Sequence, residues 1–384
     1  MRSKSLSSHL HEVNVSEYSL QVLGTYGIPN NYGGAEQFIE MLAPFLVEEG
    51  WKVRVFCQIP GHESFHITNW NGVELYHVPG KGTGPKSTID YDIRCMRYAL
   101  KSKMPILTMG YNTAFLNLLP RLFRIPNVIQ MDGIEWKREK WGKFAKALFY
   151  INERCGCYFG DHLIADHPEI KSFLTTRTRA EKISVLCQSA MYYEDPNLAQ
   201  IESLGLSPKS YLTLVARVVP ENQILEIVRS FSRRKRNIKL LVLGRYEDKN
   251  PYAMQIRNAA SDEVVFPGPI YQPQVGSLRY YTLGYLHGHT VGGTNPSLLE
   301  AMHSHNPVIA HNNKYNRWVA GEGAMYFDTE DDLDTLLTSF LSSPEKQNSM
   351  AEASKKRFQE QFSYDYSLGT FRDMLKTEID KKRR

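Results

Sequence analysis

Residues 287–302, HGHTVGGTNPSLLEAM, constrain this chain more than any other stretch. Glycines at 292 and 293 interrupt any regular element, and Tyr285 and Leu286 ahead of them read as a strand end. Asn295 then suits a helix N-cap and Pro296 the first helical position. The run Ser297, Leu298, Leu299, Glu300, Ala301, Met302 is mostly good helix formers. A strand, a glycine turn and a helix start together make an anion site, because free backbone N–H groups and the positive helix end face the turn. Phosphate fits such a site best. Glu300, about one turn inside, can accept hydrogen bonds from sugar hydroxyls. The segment therefore points to a diphosphate-sugar pocket, although a capped helix behind a tight turn has the same residues.

The rest of the chain repeats the strand–loop–helix theme. Residues 19–24 form a first strand, residues 25–34 a glycine-containing loop, and from residue 35 a helix, ended by Gly50, carries Phe38, Ile39, Leu42, Phe45 and Leu46 at helical spacing. Further strands are expected at 53–56, 73–78, 106–109, 128–130, 163–165 and 183–186, with a helix over 90–100. A second series begins at 212–216 and continues at 238–243, 264–266, 285–286, 307–310 and 324–327. Alternation of this kind predicts an α/β fold with parallel sheets. The first loop is not G-x-G-x-x-G, so no dinucleotide fingerprint is present. We expect a disordered tail over 1–16, a first domain over 17–190, a linker over 191–210, a second domain over 211–362 and a final helix over 363–384.

At 384 residues the length suits two domains. The net charge of +5 suits phosphate ligands or an anionic membrane surface without requiring nucleic acid. The five cysteines are odd in number and lack framework or zinc spacing, as expected of reduced thiols in the cytoplasm. No run approaches 18 apolar residues. A helix following residue 135 is expected to carry Lys137, Arg138, Lys140, Lys143 and Lys146 among Trp136, Trp141, Phe144, Leu148 and Phe149. That is a candidate membrane-surface face, or an ordinary amphipathic helix with a solvated basic side. The run 233–236 (RRKR) reads as solvated. Asp90/Asp92 and Asp332/Asp334 sit at expected helix starts rather than strand ends, which argues against a metal site.

Arg217, Arg245 and the loop 287–294 all follow strands of the second series, so in a parallel sheet they share one edge and can converge on one ligand. Concentrated positive charge there would stabilise a departing diphosphate without a metal. Asp132, just past another strand, sits at the corresponding edge of the first half, or is a turn residue.

Four stretches carry a resemblance: GIPNNYGGAE (27–36), DGIEWKREKW (132–141), ARVVPEN (216–222) and residues 287–302. The chain resembles retaining glycosyltransferases of the family-four type with the GT-B fold, and within them a bacterial polysaccharide rhamnosyltransferase-like subgroup. The resemblance implies two Rossmann-like domains facing a cleft, the first for the acceptor and the second for a nucleotide-sugar donor, with no cofactor. It places Arg217 on the donor phosphates, Glu300 on the ribose, Gly33 and Gly34 near the phosphates and Asp132 on the transferred sugar. His289, Gly292, Gly293, Thr294, Asn295 and Asn222 complete the expected donor site.

Two departures stand out. The family's lysine five residues after its arginine is Asn222 here, and its glutamate eight residues before Glu300 is Gly292. Arg245 or Lys249 could supply the missing cation. The expected activity is transfer of a hexosyl or deoxyhexosyl unit from a dTDP-, UDP- or GDP-linked donor to a glycan or lipid-linked saccharide in the cytoplasm or on the inner face of the membrane. A nucleotide-sugar epimerase and a non-catalytic nucleotide-sugar-binding scaffold are the alternatives.

Overall fold

The computed structural model describes residues 18–30, 33–81, 84–131, 133–138, 141–187, 189, 196–247, 249–270 and 273–383. Asp132, Lys140 and the expected 1–16 tail lie outside the described residues. Contacts divide the chain into two compact units, one comprising residues up to 109, 116–127 and 376 onward, the other 110–115 and 128–375.

In the first unit, β1 (Ser19–Leu23), β2 (Lys52–Pro60), β3 (His66–Trp70), β4 (Val73–Gly80) and β5 (Ile106–Met109) lie in the order β3-β4-β2-β1-β5. All the pairings are parallel except β3 with β4. That antiparallel hairpin was not expected. Its turn is Asn71-Gly72, both at positive φ (48° and 80°), the two-residue turn whose twist matches paired strands. Leu20, Val22, Val53 and Val55 are buried, as apolar strand residues covered on both faces must be.

The second unit holds β6 (Asn127–Met131, of which residue 127 falls in the first unit), β7 (His162–Ala165) and β8 (Ile183–Val185), paired in parallel. It also holds β9 (Tyr211–Val215), β10 (Lys239–Leu243), β11 (Val264–Val265), β12 (Gly284–His287), β13 (Val308–His311) and β14 (Met325–Phe327). These six form a wholly parallel sheet, β11-β10-β9-β12-β13-β14. Leu212, Leu214, Leu240, Val242 and Leu286 pack with Phe231 and Phe340 from the flanking helices.

Four sequence expectations need correction. The basic–aromatic helix is not continuous: a short 3-10 turn, Glu135–Lys137, precedes an α-helix that starts at Lys143. Lys137 and Arg138 therefore lie off that helix. The helix expected from Asp90 opens at Pro85, so Asp90 lies in its second turn, where it accepts the Lys81 N–H and pairs with Arg94. The 191–209 stretch contains a helix, Leu198–Glu202, with Ile201 buried. The 233–236 run is not wholly solvated: Arg236 is 2% exposed and bonds Asp334 at 2.6 Å and the Ser230 and Phe231 carbonyls. Asp332 caps the helix Glu330–Leu341 with Thr329 in a reciprocal box. Among the described residues no group of three or more His, Cys, Asp or Glu could hold a metal, and no helix is long and apolar enough to cross a membrane.

Candidate functional site

β10, β9 and β12 are neighbours, and the residues that follow them carry the site. Arg217 lies two residues beyond β9 and Arg245 two beyond β10; both are exposed. Neither guanidinium pairs with a carboxylate among the described residues. The Arg217 carbonyl is held by the Asn222 amide at 2.8 Å and the Val219 N–H at 2.9 Å, and Asn222 is itself buried. Asn222 thus fixes the loop that presents Arg217. This loop is stitched to the one after β12: Thr290 donates its N–H and its hydroxyl to the Glu221 carbonyl, each at 3.0 Å. A Cβ at Gly288 would lie 2.2 Å from the Asn222 carbonyl oxygen, so only glycine permits that approach.

The β12 loop carries two stacked imidazoles. His287 and His289 lie 4.3 Å apart with planes 5° from parallel. Burial, followed by His289 and His311, pushes His287 well below its usual range. Burial, followed by Arg217, lowers His289 to about 4. Both rings are therefore neutral near pH 7, when each can donate from one nitrogen and accept at the other. His289 Nδ1 is out of solvent with no hydrogen-bond partner among the described residues, while its carbonyl is clamped by Asn313 and Asn316, each at 2.9 Å.

Next comes the glycine turn. Gly292 has φ +124°, a conformation L side chains rarely adopt. Gly293 faces a residue the sequence reading missed: a Cβ there would lie 2.3 Å from Oδ2 of Asp166, the residue after β7. Thr294 donates its N–H to Asp166 Oδ2 at 3.3 Å and its hydroxyl to the Asp166 carbonyl at 2.6 Å. Asn295 occupies the N-cap of the helix Pro296–His303, as expected. Its side chain makes no cap bond, and its Nδ2 instead lies 3.5 Å from His287 Nε2. Glu300, on the same helix, is paired at 2.6 Å with Arg279, whose side chain is 4% exposed. Arg279 also went unpredicted, because its helix, Gln274–Tyr281, carries no motif.

The expected first-unit residues sit at the start of the helix Gly34–Glu48. Gly33 is its extended N-cap. The buried Glu36 accepts the Tyr26 N–H at 2.9 Å and so ties the preceding loop to the helix. Gly27, at φ +113°, is the glycine this loop requires, since a Cβ would lie 2.6 Å from Cys57 Sγ. After β6, Glu135 accepts from Trp141 and Arg138, each at 2.9 Å, and Arg138 reaches Glu221 at 2.8 Å. Arg138 thus braces the Arg217 loop.

The arrangement combines cations, turn amides and carboxylates suited to sugar hydroxyls at one sheet edge. Residues 199–357 match the family model "Glycosyl transferases group 1". Residues 18–190 match a domain of unknown function, DUF1972. No curated protein matches the sequence. Among solved structures, a sucrose-phosphate synthase from Thermosynechococcus elongatus aligns with a TM-score of 0.79 at 15% identity, covering 95% of this chain and 100% of that one. Anabaena Alr3699/HepE in complex with UDP-glucose aligns with a TM-score of 0.71 at 13% identity, covering 94% and 99%. WaaG, a glycosyltransferase involved in lipopolysaccharide biosynthesis, gives 0.69 at 16%, covering 93% and 99%. The fold is GT-B, with two Rossmann-like halves built on parallel sheets.

Proposed function

We propose that this chain is a retaining glycosyltransferase that moves a hexosyl or deoxyhexosyl unit, rhamnosyl-like in class, from a nucleotide diphosphate sugar to a growing glycan. The observation that carries this reading is the stitched pair of loops after β9 and β12, within a segment that matches group 1 glycosyl transferases. They set the exposed Arg217 beside the neutral His289, next to a glycine turn and a helix N-terminus.

In the proposed reaction the bond from the anomeric carbon to the diphosphate oxygen breaks, and the electron pair leaves on the diphosphate. The acceptor hydroxyl oxygen bonds the same carbon on the same face, and its proton passes to the departing diphosphate oxygen. Arg217 meets the leaving charge, where a preorganised cation is worth most. Arg245 adds long-range positive potential. Glu300 holds the ribose diol with one carboxylate oxygen while Arg279 fixes the other. The resemblance assigns Gly33 and Gly34 to the donor phosphates and Asp132 to the reacting sugar.

Thermal-shift screening of UDP, dTDP and GDP, each alone and as its sugar conjugate, tests donor binding, because a ligand of the native state raises the melting point. UDP-glucose is the first donor to try, given its presence in the HepE complex. Transfer is then measured on oligosaccharide and lipid-linked acceptors. A protein that no nucleotide sugar stabilises, and that transfers nothing, is not this enzyme.

The acceptor is proposed to be lipid-linked and met at the inner face of the membrane. The helix Lys143–Phe159 supports this with an exposed stripe of Phe144 (85% exposed), Leu148, Ile151 and Tyr158, flanked by Lys143 and Arg154. The apolar stripe, rather than the expected row of basic residues, is the feature that suits an interface.

A further inference from the structure

Asp166 is the acidic side chain packed against Gly293, and the reaction as described leaves it unused. Its Oδ2 accepts the Thr294 N–H, while its Oδ1 is out of solvent and has no hydrogen-bond partner among the described residues. The carboxylate lies flat on Gly293, with Oδ2 2.3 Å and Oδ1 2.4 Å from where a Cβ would stand. No cation pairs with it among the described residues. Its surroundings are Thr294 and the Cys187 thiol, which donates to the Asp166 carbonyl at 3.2 Å. Burial raises its pKa to about 6, so the group is still mostly ionised near neutral pH.

A buried carboxylate oxygen without a donor is expensive, and native proteins rarely leave one so. The missing donor therefore belongs to a ligand. It cannot be a phosphate oxygen, which is an acceptor and carries the same charge. A sugar hydroxyl meets both requirements, since it donates and it is neutral. We propose that Asp166 Oδ1 accepts a hydrogen bond from a hydroxyl of the transferred sugar, so that Asp166 reads the sugar and not the nucleotide. This rests on the glycosyltransferase reading. It adds a carboxylate contact, supplied from β7, to a turn whose own residues 292–294 carry none.

The test compares Asp166→Asn with wild type by calorimetry on three pairs: UDP with UDP-glucose, dTDP with dTDP-rhamnose and GDP with GDP-mannose. If the amide oxygen keeps the Thr294 N–H, the position facing the sugar becomes an uncharged N–H donor, and the charge-assisted acceptor is lost. For the pair the wild type binds, the variant should hold the free diphosphate within about twofold. It should lose roughly 10- to 100-fold on the sugar conjugate, the effect of one charge-assisted hydrogen bond. Equal loss on both would make Asp166 only a brace of the turn. No loss on either would leave Oδ1 without a ligand. Both results overturn the proposal. Should the variant unfold, monodeoxy analogues of the bound donor are titrated against wild type and Asp166→Ser. Deleting one hydroxyl must cost wild type about tenfold or more and cost the variant little; a flat series overturns the proposal. Failure of the wild type to bind any of the six probes is a different result, since it removes the glycosyltransferase reading itself.

Discussion

Arg217 and Glu300 differ in what their removal does. Arg217 is exposed and unpaired with any carboxylate among the described residues, so Arg217→Ala should leave the melting temperature nearly unchanged. It should weaken nucleoside diphosphate binding by roughly 10- to 100-fold. Glu300 is tied to the buried Arg279, and its complete truncation would strand that cation at a cost of about 3–5 kcal/mol. Glu300→Gln keeps an acceptor there and is the cleaner probe of the ribose contact. Calorimetry with the nucleoside diphosphate, beside a melting curve, separates the two effects. Wild-type affinity in Arg217→Ala would contradict the phosphate assignment. Arg217, Arg245 and the 292–295 turn were legible in the sequence because each follows its strand by a short, fixed offset. Asp166 and Arg279 were not. Asp166 meets Thr294 across 128 positions of chain, and no local pattern encodes such a meeting.

Elements were legible wherever periodicity was strong, which covers nearly every parallel strand. The β3–β4 hairpin was overlooked although Asn71-Gly72 announces it. β3 is an exposed edge strand with no apolar alternation to mark it. The 135–149 stretch was read as one helix from its composition, but Trp141 and Arg138 hold Glu135 in a short turn, and the α-helix begins only at Lys143. Loop packing gives a prediction at this scale. Gly288→Ala sets a methyl 2.2 Å from a backbone oxygen that cannot swing aside, so the β9 and β12 loops must part. We expect a lower melting temperature together with weaker donor binding; an unchanged variant would mean that the loops slide freely. The surface of the helix Lys143–Phe159 gives another. Replacing Phe144 and Ile151 by serine should reduce sedimentation with anionic vesicles several-fold while leaving transfer to a water-soluble acceptor intact. Equal sedimentation would assign the stripe to some other partner.

For the whole molecule, buried imidazoles set the acid limit. His167 and His289 are lowered to about 4 and His287 is also lowered well below its usual range, each chiefly by burial. A depressed histidine contributes stability that is complete above its unfolded value of about 6.5 and is lost as pH falls through the folded value. Asp166, raised to about 6, acts in the opposite sense between about 6 and 4, because the native state then holds a proton that the unfolded chain does not. Three histidines outweigh one aspartate, at about 1.4 kcal/mol per pH unit for each proton. The urea midpoint should therefore be lower at pH 5 than at pH 7. A flat midpoint would show that these rings are solvated.

Residues 376–383 pack with the first unit: Asp380 accepts from the Tyr18 hydroxyl, and Lys382 donates to the Ile125 carbonyl. On the ribosome, that unit's opening strands emerge long before these partners are made. Translation must pass through the whole intervening half before the early half can close over Tyr18, so a nascent chain stalled anywhere before position 376 carries an unfinished first lobe.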